Sequence, residues 1–175
     1  MQTQLLDRFD PWKLATLGGH LQGEVTLERM PRLTALLAAP AGGVAVTLEA
    51  GVDTHNQVAF LAGQLEATVT LVCQRCLVPM LSHLEVQFRL GLVHSEAQAE
   101  SLPDEYEPLL VPQDGLLTSD WVEDELILAL PLAPLHSDLH QCEANGFILP
   151  NPAPPAKQAS PFATLSTLLQ NWHKE

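Results

Sequence analysis

The chain is poor in basic and aromatic residues, and it has only three cysteines among its 175 residues. It lacks any run of about 18 apolar residues, so neither a membrane span nor a membrane partner is expected. Its first residues show no basic region followed by an apolar one, which argues against a secretory signal. A small, odd number of cysteines argues against a disulfide framework. We therefore expect the protein to reside in the reducing cytoplasm.

The acidic and basic residues are unevenly distributed along the chain. The formal net charge is −13, and no Lys or Arg occurs between residues 90 and 156. Such a surface repels phosphate backbones and attracts a basic protein partner, although acidic residues also serve simply to keep a protein soluble. The candidate partner-binding residues are Asp104, Glu105, Glu107, Glu123, Asp124 and Glu125.

Alternation of apolar and polar residues predicts four β-strands. These are residues 21–27, 44–50, 57–72 and 81–93. Short connections between the last three predict an antiparallel meander. A helix is predicted over residues 29–39, with Pro31 in its first turn.

Two acidic segments follow the predicted strands. Residues 102–108 contain two prolines and are predicted to be an irregular loop. Residues 120–130 are predicted to form a helix that Asp120 caps, with Glu123 three residues later as in a capping box. The acidic first turns suit the helix dipole, and Pro131 ends the helix.

Prolines divide the end of the chain from the rest. Residues 150–160 are rich in proline and are predicted to be an extended linker. Residues 161–175 follow Ser160, a good N-cap, and place their apolar side chains on one stripe, which predicts a C-terminal amphipathic helix. That helix could dock on its own domain or on a partner. We therefore predict a single α+β domain over residues 1–149, with an antiparallel sheet of about four strands and two or three helices.

A Cys-x-x-Cys pair, Cys73 and Cys76, ends the longest predicted strand. This spacing lets two thiolates converge on a metal ion or on each other. Cys142 could supply a third ligand and either His136 or His140 a fourth, which would complete a structural zinc site. The alternative is that the cysteines carry no metal, because cysteine also packs well as a small apolar residue.

Thiol redox chemistry is a further possibility for the same pair. Arg75, between the two cysteines, could lower the pKa of a thiol. A redox pair of the thioredoxin type normally opens a helix, however, and here Leu-Val-Pro follows instead. The sequence shows no Ser/His/Asp or paired-carboxylate arrangement and no Gly-rich phosphate loop. We therefore expect that the protein is not an enzyme.

Four segments together resemble the YceD-like family of large ribosomal RNA subunit accumulation proteins. They are the stretches LVCQRCL, SLPDEYEP, VEDELILALP and PFATL. The most specific part is the acidic helix followed by Leu-Pro, downstream of Cys-Gln-Arg-Cys-Leu. The resemblance covers most of the chain and implies a cytoplasmic factor, with no established catalytic activity, that is needed for normal accumulation of large-subunit (23S) ribosomal RNA.

Two modes of action are compatible with this resemblance. In the first, the acidic surface holds a basic ribosomal protein or a processing nuclease. In the second, the nearly balanced first half of the chain contacts RNA directly. The candidate RNA-contacting residues are Arg29, Arg32, Arg75 and Arg89. Charge favours the first mode. The rival interpretation is a small thiol-redox or zinc-handling protein centred on Cys73 and Cys76.

Overall fold

The computed structural model describes residues 3–148. The strands are β1 (Thr3–Gln4), β2 (Arg8–Phe9), β3 (His20–Thr26), β4 (Gly43–Asp53), β5 (Val58–Val72), β6 (Pro79–Val93), β7 (Glu107–Leu110) and β8 (Leu116–Leu117). The helices are α1 (Pro11–Leu17), α2 (Pro31–Thr34), α3 (Glu96–Ala99), α4 (Thr118–Ala129) and α5 (Leu139–Ala144), with a 3-10 turn at Leu27–Arg29. The predicted linker 150–160 and helix 161–175, like residue 149, lie outside the described residues.

Six of the strands form one mixed sheet in the order β1-β3-β4-β5-β6-β7, and β2 pairs with β8 separately. The four inner strands, β3 to β6, are antiparallel neighbours in chain order. The α+β class and the four antiparallel strands are therefore confirmed. The two edge strands, β1 and β7, pair in parallel and were not predicted.

One face of the sheet carries the core. Register places Val46 opposite Leu65 and Leu65 opposite Val86, so the apolar side chains of three strands share this face. Helices α1, α2 and α4 cover it, and buried residues such as Leu33 and Val122 join the same apolar cluster. The opposite face carries polar residues, as expected for an antiparallel sheet that is solvated on one side.

Three local predictions were wrong. The helix predicted over 29–39 is only the 3-10 turn and the four residues of α2, because Ala38 donates its N–H to Thr70 and the chain joins β5 instead. Helix α4 begins at Thr118 rather than after Asp120, and Leu117 at its N-cap makes no side-chain capping bond. Residues 107–108 belong to β7, an edge strand, which is where a sheet tolerates proline.

No helix within residues 3–148 is long and apolar enough to cross a membrane.

Candidate metal centre

The turn between β5 and β6 is built around Cys73 and Cys76. The backbone carbonyl of Cys73 accepts a hydrogen bond from the N–H of Leu77 at 2.9 Å, and the backbone N–H of Cys73 donates to the carbonyl of Val78 at 3.0 Å. Leu77 has φ of 59°, a left-handed conformation that a non-glycine residue adopts only when its surroundings enforce it. The turn is therefore closely bonded and holds both thiols at the end of the hairpin.

The second half of the site lies in the segment that follows α4. Gln74 donates its N–H to the carbonyl of Pro134 at 2.8 Å, which fastens this segment to the hairpin turn. Asp138 then caps α5 by accepting the N–H of His140 at 2.9 Å. Cys142, in α5, is completely buried. The cap and the turn contact thus fix where Cys142 enters the site.

Four side chains converge at this point. Cys73 Sγ lies 3.8 Å from Cys142 Sγ, and His136 Nδ1 lies 3.4 Å from Cys76 Sγ and 3.5 Å from Cys142 Sγ. All four potential ligand atoms lie within 4.8 Å of one another. The structure therefore brings together all three cysteines and one of the two candidate histidines.

His140 is not part of the cluster. Its side chain is 85% exposed, and its Nδ1 lies 2.9 Å from a carboxylate oxygen of Glu143. That hydrogen bond and the charges of Glu143 and Asp138 raise the pKa of His140. Of the two histidines that the sequence left open, His136 is the one placed to act as a ligand.

The thiols of the cluster differ in their electrostatic surroundings. Burial acts to raise the pKa of Cys73, but the backbone N–H groups of Cys76, His136 and Arg75 hydrogen-bond its sulfur and together lower that pKa to about 5. Burial raises the pKa of Cys142 to about 11, and hydrogen bonds with the other two thiols add to this effect. Arg75 lies beside the buried thiol, with Nη1 at 3.9 Å from Cys142 Sγ.

The acidic candidates fall into two groups. Glu123 is only 3% exposed, accepts hydrogen bonds from Arg32 Nε at 2.8 Å and from the N–H of Leu33 at 2.9 Å, and is therefore unavailable to a partner. These hydrogen bonds hold α4 against α2, a role that the predicted capping box did not include. The other group is at least partly accessible to solvent: Asp104, Glu105, Glu107, Asp124 and Glu125.

The four candidate arginines are each held by other groups of the protein. Arg29 pairs with Asp7, and Arg32 pairs with Glu123 and Asp124. Arg75 lies beside Cys142 at the hairpin turn. Arg89 lies ten residues along β6 from Pro79, which corresponds to a separation of about 30 Å from that turn. The structure does not bring these residues into one patch.

A network of hydrogen bonds and ring contacts around Tyr106 was not predicted from the sequence. Its ring lies 4.8 Å from the guanidinium of Arg89, whose other neighbour is the Phe60 ring at 5.0 Å. The Tyr106 hydroxyl donates to Asp53 at 2.9 Å and accepts from Arg89 at 2.9 Å. The available signal was that the chain contains a single tyrosine, in the segment predicted to be a loop. This network closes that segment over the polar face of the sheet.

Comparison with known proteins agrees with the resemblance. A family model described as large ribosomal RNA subunit accumulation protein YceD matches residues 61–169. A Haemophilus influenzae protein of the same description is 36% identical over 167 residues, which cover 92% of this chain and 94% of that protein. No solved structure matches the chain. The chain belongs to the YceD family of large ribosomal RNA subunit accumulation proteins.

Proposed function

We propose that this protein acts as a non-enzymatic factor in the accumulation of large-subunit (23S) ribosomal RNA. The observation that carries the proposal is the 36% identity to a large ribosomal RNA subunit accumulation protein over 92% of the chain. A match of that extent includes the sheet, the helices and the cysteine turn rather than one short motif. The family name therefore provides the functional hypothesis for the whole domain.

The proposed mode of action is capture of a basic ribosomal or RNA-processing protein by an acidic surface. Helix α4 and strand β7 bring their carboxylates together: burial raises the pKa of Glu125, and the charges of Glu107 and Asp124 raise it further. Asp104 and Glu107 are exposed and form no ion pair within the described residues 3–148. Concentrated negative charge of this kind accelerates association with a basic partner.

Direct RNA binding is the less favoured mode. Affinity for a phosphate backbone requires Lys and Arg side chains that can neutralise phosphates. The four candidate arginines are already engaged with carboxylates, with Tyr106 or with the cysteine cluster. They also lie at different places on the fold. The ribosomal RNA would therefore be reached through the protein partner.

The first test is the ratio of large- to small-subunit ribosomal RNA in cells depleted of the protein. We expect the ratio to fall and to recover when the wild-type gene is restored. An unchanged ratio would contradict the proposed function.

A pair of charge reversals tests the mode of action. The double variant Asp104→Lys/Glu107→Lys removes two exposed acids of the acidic surface, and it is expected to restore the ratio poorly. The matched control is Glu28→Lys/Glu85→Lys, which makes the same change in net charge at exposed positions elsewhere. The control is expected to restore the ratio fully. Equal rescue by both variants would reject the acidic surface as the binding site.

A pull-down distinguishes capture of a basic protein from direct RNA binding. We expect the protein to retain a basic protein partner at low salt and to lose it at high salt, because screening weakens such contacts. RNase treatment should leave the complex intact. Loss of the complex on RNase treatment would instead support direct RNA binding.

A further inference from the structure

We propose that Cys73, Cys76, His136 and Cys142 bind one zinc ion in a closed tetrahedral site. The inference concerns a structural metal and does not depend on the proposed role in ribosomal RNA accumulation. It begins from the convergence of four soft ligand atoms contributed by two distant parts of the chain.

Three of the six distances between the ligand atoms match those of a tetrahedral zinc site, and all six are within 4.8 Å. With Zn–S bonds of about 2.3 Å and a Zn–N bond of about 2.0 Å, a regular tetrahedron has S···S edges of about 3.8 Å and S···N edges of about 3.5 Å. Cys73 Sγ and Cys142 Sγ lie 3.8 Å apart. His136 Nδ1 lies 3.4 Å and 3.5 Å from the sulfurs of Cys76 and Cys142. Three edges of the polyhedron are thus already at the required length.

The nature of the ligands selects the metal. Three thiolates with one imidazole in tetrahedral arrangement suit zinc, whereas Mg²⁺ and Ca²⁺ require oxygen ligands. Four protein ligands leave no open position, and Cys73 and Cys142 are fully buried. Such a closed site is structural rather than catalytic.

The surroundings of the cluster are those of a metal site. Cys73 Sγ accepts hydrogen bonds from backbone N–H groups, including that of His136 at 3.4 Å, and ligands are commonly held in this way by a second layer of contacts. On binding, the metal replaces the thiol protons, which are released to solvent. Zinc with three thiolates carries one net negative charge, and the Arg75 guanidinium next to Cys142 offsets it.

The position of the cluster explains what the ion would hold together. Strand β4 pairs with β5 only as far as Ala67, so residues 68–72 lie beyond it with a single isolated bridge from Ala39 to Thr70. A two-stranded ribbon is marginally stable by itself. Zinc at the turn would fasten this ribbon to α5 and the segment that precedes it.

A disulfide or an unmetallated thiol cluster is the alternative arrangement. Cys73 Sγ and Cys142 Sγ are 3.8 Å apart, well beyond the S–S bond length of about 2.0 Å. In an unmetallated cluster the thiols would donate S–H hydrogen bonds to His136 Nδ1 at these distances, so metal content is the property that separates the arrangements. Both alternatives predict a purified protein without bound metal.

The test begins with elemental analysis of the full-length protein, purified without chelator. We expect about one zinc per chain in the wild type and less than about a tenth of that in Cys73→Ser, Cys142→Ser and His136→Gln, since each variant lacks one of the four ligands. The matched control is His140→Gln, which changes the neighbouring histidine outside the cluster and should keep its zinc. Wild-type protein that stays metal-free after dialysis against zinc would overturn the proposal. So would a His136→Gln variant that retains zinc as the wild type does.

A second measurement needs no variant and so does not depend on whether the variants fold. Cobalt replacing zinc in the wild-type protein should give the visible absorption of tetrahedral Co²⁺ and a thiolate-to-metal charge-transfer band. Titration of zinc-loaded protein with a mercurial reagent should release the zinc as three thiols are consumed. A spectrum typical of octahedral Co²⁺, or thiol modification without zinc release, would exclude the site.

Discussion

The contact between Glu123 and α2 allows a quantitative prediction. Glu123→Ala removes the acceptor of the Leu33 N–H. This N–H is buried near the start of α2, and no capping side chain of α2 is present to replace the lost acceptor. A hydrogen bond to a charged group contributes about 1.5–3 kcal/mol. The Arg32 pair adds little, because the Arg32 side chain is 56% exposed and Asp124 remains as its partner.

The expected loss is therefore about 3 kcal/mol in the free energy of unfolding, and most of it comes from the bond to Leu33. For a protein of this size the corresponding fall in Tm is about 6–12 °C. Chemical denaturation followed by circular dichroism measures the free energy, and calorimetry measures Tm. Glu123→Gln keeps an acceptor oxygen for Leu33 and should lose less, about 1–2 kcal/mol.

The matched control is Asp124→Ala. It removes the other carboxylate bound to Arg32, but that pair is exposed on both sides, so the expected loss is less than about 1 kcal/mol. If Glu123→Ala and Asp124→Ala differed by less than about 0.5 kcal/mol, the buried bond to Leu33 would not be what stabilises this contact.

Three further substitutions have definite expected outcomes. Leu77→Gly should raise the free energy of unfolding by about 0.5–1 kcal/mol, because glycine adopts the left-handed conformation without strain and the replaced side chain is 71% exposed. Gly63→Ala should cost more than about 3 kcal/mol or prevent folding, because its Cβ would clash with the backbone of Thr47 and Leu48. Glu125→Gln should be more stable than wild type at pH 7, since the raised pKa of Glu125 means that folding disfavours its charged form.

Each of these has its own control and refuting result. The control for Leu77→Gly is Leu81→Gly, which removes the same side chain at similar exposure but lies in β6, where glycine should destabilise the fold. Equal changes in the free energy of unfolding for the two variants would argue against strain at Leu77. Gly51→Ala meets only the movable ring of Phe60, so a loss as large as that of Gly63→Ala would refute the backbone clash.

The stability advantage predicted for Glu125→Gln should depend on pH. A raised folded-state pKa destabilises the fold above that pKa and has no effect below the unfolded-state pKa, where the carboxyl is protonated in both states. The advantage of Glu125→Gln in Tm should therefore disappear as the pH falls to about 3. An advantage that persists unchanged at that pH would show a cause other than charge.

Much of the sheet could be predicted because its strands alternate clearly. Residues 44–50 and 81–93 lie within the observed β4 and β6, and the predicted 57–72 strand matches β5 except for residue 57, which belongs to the preceding turn. The edge strands β1 and β7 could not be predicted, since they have only two and four residues and form through pairing with a neighbour rather than through their own pattern. The predicted 29–39 helix failed for the same reason, because the bridge to Thr70 overrides local propensity.

The candidate site was predicted in composition but not in full geometry. The Cys-x-x-Cys spacing identified Cys73 and Cys76, and the third cysteine was the only other one available. Spacing alone could not choose between His136 and His140, because each lies within a few residues of Cys142. The choice depends on the start of α5, whose cap at Asp138 turns the second histidine toward Glu143 and solvent.

The 69 positions that separate Cys73 from Cys142 set an order of events during synthesis. At about 5–20 residues per second, the second of these cysteines is added roughly 3–14 s after the first. The β5–β6 hairpin is local in sequence and can form within that interval, so Cys73 and Cys76 are at first present without His136 and Cys142. During those seconds the pair is accessible to oxidants and to metal ions as an incomplete set. The arrival of α5 brings Cys142 to 3.8 Å from Cys73, which is fully buried in the complete fold, so protection of the Cys73 thiol in a nascent chain would report that translation has passed α5.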